Sequence, residues 1–330
     1  MGTSGIKGLC PCGSGRPYRD CCYNSDLLSA VNAGGAAFGQ ARDAGENPES
    51  RRDRSMLKSS DELEDTFGLS REHLYALLYE PFSSPDLITF NLDLKKFPEA
   101  PFFRLFTDLL QGVAAGDLKP TSQGNLPVKF VNDAARRFYG EKEYLERKQI
   151  FSFRTELDFP VLHTVRLLAH MSGFMRKYRG RLHLTTSGRE VLETGMNGRA
   201  FYKIFEAYTM RFNWGYNDGC PDFPIVQLNF LFTLYLLMRY GGRLRPASFY
   251  EDLFAAAFPV ETPKAAAVFS GSGEEDLKKC YSLRSLSRFA HFFGFIELEN
   301  AGSTGRVRTP NVKRTAFLND WIRLSGVGAS

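Results

Sequence analysis

Cysteine and histidine are scarce in this 330-residue chain, and that scarcity removes several kinds of chemistry at the outset. The five histidines are His73, His163, His170, His183 and His291; none falls in a metalloprotease spacing or beside a nucleophile motif. His163 and His170 lie two helical turns apart, a spacing that suits packing or surface placement. A phosphate-cradling loop is also missing, because "GSGEE" at 271–275 has no lysine and reads as a loop. Long apolar runs are absent too. The longest, "FPIVQLNFLFTLYLLMRY" at 223–240, contains Gln227 and Asn229 and is shorter than the roughly 20 residues a membrane helix needs. It reads as a buried helix, and no membrane span is expected. The first residues, "MGTSGIKG", lack the apolar core of a secretion signal, so the expected location is cytoplasmic. Charge of one sign does not dominate either. Lys and Arg total 42 against 37 for Asp and Glu, so a basic surface has to come from local clustering.

What is present can fill a core: 43% of residues are hydrophobic and 14% aromatic, over a length that fits two or three domains. Four of the six cysteines are concentrated in "GLCPCGSGRPYRDCC", residues 8–22. Cys10 and Cys12 form one pair and Cys21 and Cys22 a second, with eight residues between them. Two short ligand pairs around a tight loop can wrap a tetrahedral Zn2+, each pair supplying one edge. Gly13 and Gly15 allow the loop to turn, and Arg16 and Arg19 offset the charge of about −2 on a four-thiolate zinc site. A reducing compartment disfavours disulfides, and adjacent cysteines such as Cys21 and Cys22 make a strained mutual bridge. A redox dithiol would call for C-x-x-C at a helix start, which this stretch lacks. Cys220 and Cys280 stand alone and read as ordinary semi-buried cysteines.

On these residues the stretch resembles the SEC-C motif, the small zinc-binding tail module of the preprotein translocase motor SecA that also occurs in many bacterial proteins. Cys10, Cys12, Gly13, Ser14, Gly15, Arg16, Tyr18, Cys21 and Cys22 meet its pattern, while Pro17 stands where a basic residue is usual. The resemblance implies that Cys10, Cys12, Cys21 and Cys22 bind Zn2+ and that the module contacts protein partners or the ribosome without catalysing a reaction. A four-thiolate zinc keeps no open position, so it activates no water.

Four segments are expected: a zinc knuckle over 1–25, a flexible linker over 26–60, a helical domain over 61–200 and a helical bundle over 201–330. The linker reading rests on Gly, Ala, Ser and alternating charge with few large apolar residues, and a short helix is expected near 24–31. Beyond it, "GLSREHLYALLYEPF" predicts a helix with Ser70 as N-cap and Pro81 as stop. The fold class is mainly α with small β-hairpins. A weak repeat runs through the body. Its first copy, Phe102 to Asp133, reads as helix, short strand, tight turn and helix. The second copy, Leu162 to Gly195, and the third, Ser282 to Ile322, add a hairpin. In the second the helix ends at Gly173, "FMRKY" and "LHLT" are strands around "RGR", and "TSGREVLE" begins the next helix. This order resembles the winged-helix superfamily, with "LTTSGREVL" like the segment that ends the wing; the third copy lacks the glycine. Three helical stretches between the last two copies, "RAFYKIFEAYTMRF", "IVQLNFLFTLYLLMRY" and "SFYEDLFAAAF", are expected to form an aromatic-rich bundle.

Winged units often bind nucleic acid, which makes the basic wings candidates. The second carries Arg176, Lys177, Arg179 and Arg181 around Tyr178; the third carries Arg306, Arg308, Lys313 and Arg314. Arg284 and Arg288, one turn apart before the third wing, are candidates for base edges, whereas the helix before the second wing offers only His163, Arg166 and His170. "NWGYNDGCPDFP", residues 213–224, reads as a helix-terminating turn in which Asn213, Trp214, Asn217 and Asp218 are available to a ligand. The leading expectation is a non-enzymatic, zinc-binding adaptor. A DNA- or RNA-binding protein is the alternative, followed by an enzyme with an unrecognised site. The sequence names neither a partner nor an oligomeric state.

Overall fold

The computed structural model describes residues 67–116, 118–150, 152–216, 218–220, 223–258, 273–299 and 310–325. The segments expected to form the zinc knuckle, the linker and a short helix near 24–31 lie outside them. The described part is mainly helical with a few small antiparallel sheets. It falls into two compact units, one made of residues 92–213 and the other of 67–91 together with 214–325.

Helix α1 (Arg71–Tyr79) belongs to the second unit. In the first unit α2 (Pro101–Ala114) starts on a proline, whose missing N–H is not needed there. Its Phe102, Leu105, Phe106, Leu109 and Val113 recur at helical spacing and are buried. Helices α3 (Val128–Tyr139) and α4 (Glu141–Ile150) follow, separated by Gly140 at φ 78°. A 3-10 turn at Glu156–Asp158 leads into α5 (Pro160–Met171). Strands β2 (Met175–Tyr178) and β3 (Arg181–Leu184) form a hairpin, then come α6 (Thr186–Thr194) and α7 (Gly198–Glu206), which continues in a widened turn over Ala207–Arg211.

No strand occurs among the described residues between α2 and α3, where the first repeat copy was expected to have one. Pro120 and Pro127 supply no N–H to a ladder, and the segment closes on itself instead: Thr121 N–H donates to the Asn125 carbonyl at 2.9 Å. The second copy has the expected order of helix, hairpin and helix. Its two-residue turn places Arg179 at φ 45° and Gly180 at φ 75°, the left-handed pair that a tight hairpin requires.

In the second unit Ser70 caps α1 by accepting the His73 N–H at 3.2 Å, and the helix stops before Pro81. Strand β1 (Ile88–Phe90) pairs antiparallel with the last strand, β7 (Ile322–Leu324), which ties the residues after α1 to the far end of the chain. The apolar stretch 223–240 forms two helices in place of one, α8 (Pro224–Leu228) and α9 (Phe230–Tyr240). They part at Asn229, which leaves helical geometry (φ −100°, ψ 33°) while its side-chain amide donates to the Ile225 carbonyl at 2.7 Å. That local bond competes with the helix ladder, the usual reason asparagine interrupts helices.

After β4 (Arg245–Pro246) come α10 (Ala247–Ala257) and α11 (Gly273–Tyr281), the latter running on in widened turns over Ser282–His291. Gly273, Glu274 and Glu275, expected in a loop, open α11, where the two acidic side chains suit the positive end of the helix dipole. Strands β5 (Ile296–Glu299) and β6 (Asn311–Arg314), with β4, form a sheet ordered β4-β6-β5; α12 (Ala316–Trp321) then leads to β7. Aromatic rings fill this unit: Phe254 stacks on Tyr281 at 4.3 Å and Phe295 on Phe317 at 5.6 Å.

Tertiary structure makes the relation between the second and third repeat copies concrete. "AHMSGF" at 169–174 and "AHFFGF" at 290–295 adopt one turn, with Gly173 at φ 80° and Gly294 at φ 79°. Phe174 N–H donates to Ala169 at 2.9 Å and Phe295 N–H to Ala290 at 2.8 Å. After each hairpin a threonine closes the motif: the Thr185 hydroxyl donates to Gly173 at 2.7 Å and the Thr315 hydroxyl to Gly294 at 2.6 Å.

Candidate functional site

In the first unit the basic side chains of the second copy are gathered on the hairpin. Met175 stands opposite Leu184 and Lys177 opposite Leu182, while Arg176 faces His183 and Tyr178 faces Arg181. Because strand side chains alternate, one face turns Met175, Leu182 and Leu184 into the core and the other presents Arg176, Tyr178, Arg181 and His183 to solvent. Arg179 sits at the tip. The guanidinium carbons of Arg176 and Arg179 lie 5.7 Å and 5.2 Å from the centre of the Tyr178 ring, within cation–π range, and the His183 ring meets it edge-on at 6.1 Å. Among the described residues no carboxylate forms an ion pair with Arg176, Lys177, Arg179 or Arg181, although Arg136, Arg137, Arg147 and Arg166 of the same unit are paired.

The helix before this hairpin turns its polar groups inward. Glu156 is completely buried (0% exposed); its Oε1 accepts from His163 Nδ1 at 2.6 Å and from Arg166 Nε at 2.5 Å, and its Oε2 accepts the Leu126 N–H at 2.6 Å. Burial pushes the Glu156 carboxyl up, but the His163 hydrogen bond and the charges of Arg166 and His163 outweigh it and hold the group below the ordinary carboxylate value. Sequence reading missed Glu156. The available signal was a carboxylate one turn before a helix that carries His163 and Arg166 at i, i+3.

In the second unit Arg284 is also turned inward. Its Nε lies 2.6 Å from Asp218 Oδ2 with both side chains buried, and Nη1 donates to the Phe223 carbonyl at 3.3 Å. Buried and held this way, the Arg284 guanidinium does not stand at the surface of the unit. Arg288 is half-buried and donates to the Tyr216 carbonyl at 3.4 Å; Arg314 donates to the Met238 carbonyl at 2.6 Å. Arg306 and Arg308 lie outside the described residues, as do Asn217 and the four zinc-ligand candidates. The dense loop after residue 213 is therefore occupied by structure: Trp214 N–H donates to Gln227 Oε1 at 3.0 Å and Cys220 N–H to Asp218 Oδ1 at 2.9 Å.

The same ion pair brings together two cysteines that seemed isolated in the sequence. Cys220 follows Asp218 by two residues and Cys280 precedes Arg284 by one helical turn; burial and then a hydrogen bond to Cys220 push the Cys280 thiol far up. This is a protonated, poorly nucleophilic thiol. A cleft of about 530 Å³ in the first unit is bordered by Lys95, Glu99, Arg104, Asp108 and Arg137, but Arg137 is paired with Asp108 at 3.0 Å and Arg104 is spent on the Arg137 and Phe138 carbonyls. Among the described residues there is no group of three or more His, Cys, Asp or Glu placed to hold a metal ion, and no helix long and apolar enough to cross a membrane.

Two protein families are similar to parts of the chain. The SEC-C motif matches residues 9–24, which contain all four clustered cysteines. A second family, described as the Y4jL N-terminal domain, matches residues 99–197, the stretch from α2 through the hairpin and α6. No curated protein and no solved structure matches the chain. The donor set of the SEC-C stretch, four thiols in two pairs, is the chemistry Zn2+ prefers.

Proposed function

We propose that this protein is a zinc-binding, non-enzymatic adaptor whose SEC-C-like knuckle makes contacts with a protein partner or the ribosome. The observation that carries this reading is Cys10, Cys12, Cys21 and Cys22 in the spacing of the SEC-C match. Bound there, zinc supplies structure alone, since four thiolates leave it no open position for substrate. The four thiols need a reducing compartment to remain ligands, which supports a cytoplasmic location. Zinc analysis combined with ribosome co-sedimentation tests the proposal. The full-length protein should carry about one zinc per chain and co-sediment, and a full-length Cys10→Ser, Cys12→Ser variant should lose both properties. A metal-free protein with intact thiols would sink it.

A second reading, nucleic-acid binding through winged-helix-like units, is favoured by the basic face of the hairpin, whose arginines form no ion pair among the described residues. Further support is the order α9, β4, α10, α11, β5, β6 with the sheet ordered β4-β6-β5, which is the strand order of a winged helix. The candidate contacts are Arg176, Lys177, Arg179 and Arg181, with Arg306 and Arg308 of the third copy. Weak binding at low salt that is insensitive to Arg176→Ala and Arg179→Ala would remove this reading.

A further inference from the structure

We propose that the outward face of the β2–β3 hairpin is a site for single-stranded nucleic acid, with Tyr178 as the platform on which one unpaired base stacks. The inference rests on the nucleic-acid reading above and assigns it a ligand class.

The first support is chemical. The exposed face combines an aromatic ring with three guanidinium groups, Arg176, Arg179 and Arg181, and an imidazole, His183, in the space of one short hairpin. Tyr178 is 51% exposed, and the two arginines beside it lie within 6 Å of its ring centre. Rings of this kind, flanked by cations, are how proteins hold the bases and phosphates of a single strand together. Lys177, on the other side of the hairpin, carries its Nζ to the turn at Gly124.

The second support distinguishes a single strand from a duplex. To read a duplex, the helix before the hairpin has to offer side chains to base edges in the major groove. In α5, His163 and Arg166 are both committed to the buried Glu156, and His170 is the only exposed polar side chain. Bases in a duplex also have their faces covered by their neighbours, so a ring at a hairpin tip finds nothing to stack on. An unpaired base presents that face.

Fluorescence anisotropy with the full-length protein tests the assignment, using a short oligouridine, the matching oligothymidine and a blunt duplex of equal length. Both single strands should bind more tightly than the duplex. Tyr178→Ala should weaken them by about 5- to 150-fold, the range for loss of one stacked base, and Tyr178→Trp should keep the affinity. Arg176→Ala with Arg179→Ala should reduce the salt dependence of single-strand binding by about 1.4 in log–log slope, about 0.7 per phosphate contact. Tighter binding of the oligouridine would assign RNA as the strand, and equal binding would assign both. If Tyr178→Ala binds as wild type does, or if the duplex is preferred, the stacking site is overturned while the broader nucleic-acid reading survives. If the wild-type protein binds none of the three probes, both fall. Tyr178 is half exposed, so a thermal melt that is unchanged in both variants keeps a loss of binding from being confused with unfolding.

Discussion

His163 Nδ1 and Glu156 Oε1 lie 2.6 Å apart in a place that water does not reach, and the same carboxylate oxygen receives Arg166 at 2.5 Å. An ionised carboxylate can only accept, so His163 carries its proton on Nδ1 and donates. One buried acid therefore joins the turn before α5, two residues of α5 and, through the Leu126 N–H, the segment before α3.

Replacing Glu156 with Gln removes the charge that Arg166 was buried to meet. The expected cost is about 3–5 kcal/mol, the usual range for breaking a buried ion pair from one side. Chemical denaturation of the full-length protein measures it, and a change within error would refute the structural role given to Glu156.

The same group makes stability depend on pH. Its folded value is depressed, so its contribution is fully present above the unfolded carboxylate value of about 4.5 and is lost as pH falls through the lower folded value. Wild type should therefore lose more stability than Glu156→Gln does as pH is lowered from about 5 into the acid range. Denaturation midpoints of the two proteins that run parallel across that range would contradict the assignment.

Gly188 of α6 lies against the hairpin, and a Cβ built there would stand 2.1 Å from the Phe174 carbonyl oxygen. Backbone cannot move aside as a flexible side chain does, so Gly188→Ala should destabilise the protein by about 1–3 kcal/mol. Gly242 has nothing within 4 Å of its hypothetical Cβ, so Gly242→Ala should leave the melting temperature nearly unchanged. Equal behaviour of the two variants would show that the α6 contact is not as tight as described.

Arg284 and Asp218 form the second buried pair, and Arg284→Ala strands the aspartate. A loss of about 3–5 kcal/mol is expected, with no change in oligonucleotide affinity beyond that of the fraction unfolded. Were the folded variant to lose affinity, Arg284 would have to be restored to the nucleic-acid surface.

Much of the candidate site was legible before any tertiary structure. The Cys10, Cys12, Cys21, Cys22 pattern depends on spacing within one short segment, and spacing is what a sequence displays. The second-copy hairpin was legible for a similar reason: "RGR" requires a tight turn, and the alternation of Leu182 and Leu184 with Arg181 and His183 assigns β3 its inner face, opposite Met175 of β2. The helix at Ser70 followed from its cap and its proline stop.

Side-chain direction at long range was not legible. Arg284 and Arg176 look equally basic in sequence, and whether a guanidinium faces solvent or a buried carboxylate 66 residues away depends on how the elements pack. The strand expected between α2 and α3 failed because a strand is stable only with a partner, and the proline-bearing segment found its partners within its own turn. Likewise nothing local reveals that β1 pairs with β7 at the other end of the chain. By itself the sequence determined the local elements and the four-thiol pattern of the SEC-C match, because caps, turns and cysteine spacing act over a few residues. Only the tertiary structure decided which charges are spent inside and which remain on the hairpin, because burial and pairing are properties of residues brought together from distant parts of the chain.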